Sequence, residues 1–397
     1  MEQRAPTLTL ADAAILALLM GANLVVLASD IVTTSLYPAL AARYGVPLET
    51  VVLLSTPRAL AQLGVLALAP LSERVGRVPM LVASLFLASA AAWGAALARS
   101  LGVMAMIQVA LGLALAVGNA AIPALAGDRF AYAVRGRAMA AIRLAMPLTL
   151  IGAAPGLVAL GNRVGVTAPF ALLGLAAMAI ALLAAWQLPG AAGPGASTHA
   201  TAAPRARLTA RAAGVLVLAL GLSLVPQAVF TFLAAWVGGT FGNPASTVAL
   251  AITCDGCGSL AGVAASALLV DRLTKRRAAT AGLVAAAAFA ALLPGTRHTF
   301  PLACAAIAAF SASLEVVFVA FPALLSEMAP QARGAIMGLW AVALAAGGAL
   351  APVAGRALWM RWGMAGLGRA GGVVLVAVAV GLAIVAEEPS GRLQEAA

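Results

Sequence analysis

The sequence predicts an all-α integral membrane protein, with twelve transmembrane helices in two pseudo-symmetric six-helix halves. Three observations lead to this fold. The composition suits a chain solvated by lipid: of 397 residues 63% are hydrophobic and 9% charged, with a mean hydropathy of +1.04, where soluble domains carry roughly a quarter charged residues. Apolar runs of about 20 residues, the length that crosses a bilayer as a helix, recur along the whole chain. Two pairs of polar segments also repeat at an offset of about 198 residues.

The runs fall near 12–38, 48–71, 78–98, 102–126, 136–160 and 167–188, then near 212–238, 245–270, 277–295, 300–326, 333–355 and 366–386. Lipid offers the backbone no hydrogen bonds, so runs of this length must be helices; a barrel strand needs only about 9–11 alternating residues. The first run begins at Asp12, continues into a polar, proline-bearing helix end and lacks a small-residue cleavage site. It therefore reads as a retained span and not as a signal peptide.

A net charge of +11 would suggest nucleic acid in a soluble protein, but in a membrane protein basic residues must first be sorted by side. Fifteen lie in breaks on the side of the N-terminus and seven at the opposite breaks and span ends. This asymmetry predicts a multi-pass protein of the cytoplasmic (inner) membrane with both termini in the cytoplasm, and the charge reports topology instead of a nucleic-acid partner. Cys254, Cys257 and Cys304 all fall inside spans, so no extracytoplasmic disulfide framework is implied.

The longest polar stretch, 190–211, is rich in Gly, Ala, Pro, Ser and Thr and ends in three arginines. It reads as a flexible cytoplasmic linker between an N-terminal half, 1–189, and a C-terminal half, 212–397. The halves repeat one another. Leu71-Ser72-Glu73-Arg74-Val75-Gly76-Arg77 after the second span is matched by Leu269-Val270-Asp271-Arg272-Leu273-Thr274-Lys275-Arg276 after the eighth. Pro123-Ala124-Leu125-Ala126-Gly127-Asp128 with Arg135-Gly136-Arg137-Ala138-Met139 is matched by Pro322-Ala323-Leu324-Leu325-Ser326-Glu327 with Arg333-Gly334-Ala335-Ile336-Met337. Two repeats of six spans share one membrane orientation, which implies a pseudo-two-fold axis along the membrane normal and a site near the midplane between the halves.

These segments resemble the major facilitator superfamily across essentially the whole chain. Its signature after the second span runs Gly-x-Leu-x-Asp-Arg-x-Gly-Arg-Arg; Leu71, Arg74, Gly76 and Arg77 match it, Glu73 replaces the aspartate, and Ala69 and Val78 depart from it. In the second copy Leu269, Asp271, Arg272, Lys275 and Arg276 match or substitute conservatively. The resemblance implies a conformational-switch role for Glu73, Arg74, Gly76, Arg77, Asp128, Arg135, Asp271, Arg272, Lys275, Glu327 and Arg333. Carboxylates and arginines at helix ends form charge-assisted bonds that can be remade between two states. The alternative is that these residues only anchor topology.

Ionisable residues inside spans are expensive and so are the default candidates for function. Asp30 and Arg58 lie on the first and second spans at depths of roughly 12 and 15 Å from the same face, level enough for neighbouring helices to pair them. The pair reads either as a proton-sensitive or substrate-coordinating site or as a static bridge fixing helix packing. The run from Asp30 through Pro38 to Leu40 resembles the first-span segment of the superfamily's drug:proton antiporter branch. Gly152-Ala153-Ala154-Pro155-Gly156 partly matches that branch's fifth-span pattern, whereas its fourth-span arginine and glutamine align with Gln108 and Leu111.

In the second half Asp255 lies in the eighth span and Glu315 midway along the tenth. The resemblance puts the first, fourth, seventh and tenth spans around a central cavity, making Glu315 the stronger candidate for a proton or cation site; a structural, hydrogen-bonded carboxyl is the alternative. Arg143 is placed to snorkel or to pair with Asp255. Asn119 and Gln227, on the fourth and seventh spans, are candidates to hydrogen-bond substrate, or to serve helix packing.

The Cys254-Asp255-Gly256-Cys257 spacing is a weak metal clue, and no metal site is predicted. No phosphate-cradling loop occurs, and the sole lysine is Lys275, so ATP-driven transport by this chain is disfavoured. No nucleophile, base or metal cluster of an enzyme appears at one level of the bilayer. The expectation is a monomeric secondary transporter without cofactor. It would move a small organic molecule by alternating access, in proton-coupled efflux; the alternatives are proton-coupled uptake of an organic anion at Arg58 or Arg143, soft-metal transport and a non-transporting sensor.

Overall fold

The structure is a computed structural model that describes residues 10–64, 75–130, 138–139, 141–188, 210–242, 244–272, 274–328 and 333–385, all helical or in short connections. The chain folds as two compact units, Met1–Ala196 and Ser197–Ala397. Among the described residues ten helices are long and apolar enough to cross a membrane. The last of them, Leu339–Val385, departs from helical geometry at Gly363, where φ is 56° and ψ −147°. Glycine reaches this conformation without a Cβ clash, and the break makes two spans of one.

The remaining expected span, 48–71, is described as far as Gly64. It comprises Leu48–Val51, a 3₁₀ turn Val52–Leu54 and a helix Ser55–Gln62. The protein is thus all-helical and multi-pass, with the twelve-helix organisation that the apolar runs predict. Large apolar side chains left exposed along the helices, such as Leu97, Met106, Trp186, Val217 and Ile384, suit a lipid solvent in which only backbone polarity must be satisfied internally.

In the first unit the first span, Leu10–Ser35, ends just before a short helix, Tyr37–Tyr44, whose first turn holds Pro38 and whose C-cap is Gly45 at φ 63°. The third span, Arg77–Leu97, packs on the fourth, Leu101–Arg129, and on the sixth, Thr167–Gln187. The Ser89 hydroxyl reinforces the third-to-sixth contact by donating to the Gly174 carbonyl at 2.8 Å. Ser100 caps the fourth span, accepting from the Val103 N–H. The fifth span is irregular: Ala145–Leu148, a π turn at Thr149–Ala153, then Ala154–Val164. Pro147 and Pro155 lack the N–H groups that a continuous ladder would use.

The second unit contains the seventh span, Ala210–Phe241, the eighth, Pro244–Arg272, the ninth, Lys275–Leu292, and the tenth, Phe300–Met328. The packing pattern repeats that of the first unit. Second on fourth, third on fourth and third on sixth become eighth on tenth, ninth on tenth and ninth on twelfth. The repeat visible in the polar segments is therefore also a repeat of helix contacts.

Candidate functional site

Among the described residues, each unit brings ionisable side chains of neighbouring spans together. In the first unit Arg58 Nη2 lies 2.6 Å from Asp30 Oδ1. Arg58 is buried, and the Asp30 side chain is 30% exposed. The tight approach of the helices explains the burial: a Cβ built on Gly112 of the fourth span would lie 2.1 Å from the Arg58 carbonyl oxygen. Only a glycine lets the fourth span close over this turn of the second. Tyr37, also buried, lies against Arg58 and Ser55. The carboxylate and guanidinium neutralise each other, which offsets part of the penalty for taking two charges out of water.

Gln108 is buried on the fourth span, and neither atom of its amide finds a hydrogen-bond partner among the described residues. It lines a cavity of about 10 Å³ with Ser29, Thr33 and Phe170, a volume on the scale of one water molecule. The Ser29 and Thr33 hydroxyls donate to the carbonyls of Val25 and Ser29, so their lone pairs remain as acceptors facing this polar spot. A separate, apolar cavity of about 350 Å³ is lined by the first, fifth and sixth spans, including Leu24, Ala28, Gly152, Gly156, Leu160 and Ala176. Two of its lining residues, Gly152 and Ala153, belong to the π turn of the fifth span. The Asn23 side-chain amide donates to the Ile142 carbonyl at 3.0 Å nearby in sequence to that irregularity.

In the second unit the Ser311 hydroxyl donates to Asp255 Oδ1, and the Ser259 hydroxyl donates to Glu315 Oε1 at 2.7 Å. Each rung joins the eighth span to the tenth, one helical turn apart, and the carboxyl changes helix from one rung to the next. Both serines are buried and both acids half-buried. The helices approach this closely because of Gly262, where a Cβ would lie 2.4 Å from the Ala312 carbonyl oxygen and 2.8 Å from Glu315 Cβ.

Of the residues singled out from sequence, Asn119 and Gln227 are exposed, as is Arg143. Gly76 has φ 96° and precedes the third span, which explains a glycine at that point of the signature. Arg77, the first residue of that span, reaches back to the end of the fourth, with Nη1 2.9 Å from the Ala124 carbonyl oxygen and 2.5 Å from Asp128 Oδ2. Glu73, Arg74 and Arg135 lie outside the described residues. Asp271, Arg272, Glu327 and Arg333 fall within helices whose side chains are not described at these positions, and Lys275 opens the ninth span.

Sequence reasoning missed Tyr37, Ser55, Ser259 and Ser311. For the serines a signal existed. Asp255 and Ser259, like Ser311 and Glu315, are four residues apart, so each pair shares one helix face, in opposite order on the two helices. Among the described residues no group of three or more His, Cys, Asp or Glu is arranged to hold a metal ion.

Residues 212–397 match the family model of the Major Facilitator Superfamily. Over almost the whole chain the fold is similar to a crystal structure described as a bacterial homologue of the human lysosomal transporter Spinster, in an inward-facing and occupied conformation. The TM-score is 0.71 at 16% identity, covering 94% of this chain and 95% of that one. No curated protein sequence matches the chain. The family-model match covers the second half of the chain, and the likeness of fold to this transporter structure extends over nearly its whole length.

Proposed function

We propose that this chain, which carries the transporter fold of the major facilitator superfamily and matches that superfamily's model over its second half, is a proton-coupled secondary transporter exporting a small lipophilic organic molecule. The observation that carries the coupling is the pair of rungs Asp255–Ser311 and Ser259–Glu315. The hydroxyls of Ser311 and Ser259 that these acids accept from are neutral, and protonation of either carboxyl would remove a charge from the membrane interior; at Asp30 the guanidinium of Arg58 already cancels that charge.

The apolar cavity bordered by the π turn supports a lipophilic cargo, since its volume of about 350 Å³ lies within the range of small-molecule pockets and its walls are aliphatic. Discontinuous spans are where carriers of this kind place their sites. The direction, export, rests on the resemblance of the Asp30–Leu40 run to the drug:proton antiporter branch. Uptake of an organic anion is less well supported, because Arg58 is already engaged by Asp30 and buried. The accompanying proposals are a monomer in the cytoplasmic (inner) membrane, both termini in the cytoplasm, and a switch at the Arg77–Asp128 contact.

The test is transport in everted membrane vesicles energised by respiration, with fluorescent lipophilic cations as probes and organic anions, amino acids and sugars as a second panel. The proposal expects accumulation of one lipophilic class that collapses when the pH gradient is dissipated, and that Glu315→Gln with Asp255→Asn abolishes at normal expression. Accumulation that survives both the uncoupler and the double variant would refute the proton sites.

A further inference from the structure

The eighth and tenth spans meet along a seam of small residues. A Cβ built on Gly258 would lie 2.1 Å from the Ala308 carbonyl oxygen, and one on Gly262 would lie 2.4 Å from that of Ala312. Both pairs share one register, and one helical turn further along the same register pairs Cys254 with Cys304. The two thiols are indeed neighbours, partly buried and free, whereas Cys257 is exposed on another part of its helix. Small residues thus hold two backbones close enough for the side chains of two cysteines to meet, which is the first requirement of a disulfide.

We propose that Cys254 and Cys304 form an intramembrane dithiol that closes to a disulfide under an organic hydroperoxide, stapling the eighth span to the tenth one residue from Asp255. A hydroperoxide with an organic tail partitions into the bilayer, where these thiols sit. In the first step one thiol takes the terminal oxygen: the O–O bond breaks, the sulfur becomes a sulfenic acid and an alcohol leaves. The other sulfur then attacks the sulfenic sulfur. An S–S bond forms, the S–O bond breaks, and the hydroxyl leaves as water with the thiol proton. Two thiols are oxidised and one hydroperoxide reduced.

The product is neutral, which suits the membrane interior. A complex of both thiolates with a monovalent soft cation would instead carry a net negative charge into that interior, beside the Asp255 carboxyl. The bridge would fix the helix bearing Asp255 and Ser259 against the one bearing Ser311 and Glu315. The inference does not depend on the protein being a transporter.

The full-length protein in liposomes would be treated with cumene hydroperoxide, alkylated, and analysed by intact-mass and non-reducing peptide mass spectrometry. The expected result is one intrachain link between the peptides containing Cys254 and Cys304, with Cys257 still alkylated and the link reversed by dithiothreitol. Cys257→Ala should retain the link and Cys304→Ser should lose it, leaving oxygen adducts on Cys254. Full alkylation of all three cysteines after oxidation, a link through Cys257, a link between chains, or oxygen adducts on both Cys254 and Cys304 without a link would each overturn the proposal.

Discussion

Replacing Asp30 by leucine leaves the Arg58 guanidinium buried without its counter-charge. The ion pair is short, 2.6 Å, and the arginine side chain is 7% exposed, so solvent cannot readily take over the role of the carboxylate. Breaking such a pair from one side destabilises a protein by about 3–5 kcal/mol. The 30% exposure of Asp30 argues for the low end, about 3 kcal/mol. For a unit of this size that corresponds to a fall in Tm of about 6–12 °C. Arg58→Met leaves the better hydrated partner and should cost less, about 1.5 kcal/mol, the contribution of one hydrogen bond to a charged group. The double variant Asp30→Leu with Arg58→Met exchanges an ion pair for apolar contacts, which is close to neutral, and should recover about 3 kcal/mol relative to Asp30→Leu. Thermal melts of the three purified variants in detergent, read by the fraction still monodisperse after heating, measure these differences. If Asp30→Leu melts within about 2 °C of the parent protein, or if the two single effects simply add, the pair is not the closed electrostatic unit described here.

Three further outcomes follow from other parts of the molecule. Gln108→Leu removes a buried amide that has no hydrogen-bond partner among the described residues; it should leave stability unchanged or raise it by about 1 kcal/mol while lowering transport, and a loss of stability in the same melts would show that the amide is satisfied. Gly258→Leu forces a side chain where even a Cβ would lie 2.1 Å from the Ala308 carbonyl oxygen, so it should cost about 1–3 kcal/mol or more and loosen the seam; an unshifted melt would contradict the close approach. Arg77→Gln breaks the contacts to the Ala124 carbonyl and to Asp128, in an ion pair whose arginine and aspartate side chains are 38% and 50% exposed, so it should change stability by less than about 1 kcal/mol yet slow transport several-fold if the contact is part of the switch. Equal losses of stability and rate would make it a packing contact only.

The fold was legible because its signals are long: runs of about 20 apolar residues admit one secondary structure in lipid, and the repeat supplied the division into halves. The apolar runs of the last two spans leave a break over residues 356–365, and the helix continues through most of it, to Gly363, before it turns. Polar residues such as Arg361 do not end a helix by themselves; the positive φ of a glycine does. The level of Asp30 with Arg58 could be read from helical rise alone, since charge at similar depth on adjacent helices has few other partners. The serines opposite Asp255 and Glu315 were not read, because a serine within a membrane helix ordinarily returns its hydroxyl to its own backbone, as Ser29 and Thr33 do here. Nor did the seam of Gly258 and Gly262 stand out in a chain with 40 glycines. Which glycine carries a close helix contact depends on the partner helix, and that is information of packing instead of pattern.

The most direct measurement of the central claim is proton movement driven by substrate. The protein would be reconstituted in liposomes with an internal pH-sensitive dye, a transported lipophilic cation added, and the pH response compared between the parent chain and Glu315→Gln. The account predicts a substrate-dependent pH change in the parent that disappears in Glu315→Gln and in Asp255→Asn, with Asp30→Asn tested alongside as the acid already neutralised by arginine. Substrate flux with no proton movement in the parent protein, or an unaltered proton signal when both Asp255 and Glu315 are neutralised, would contradict it.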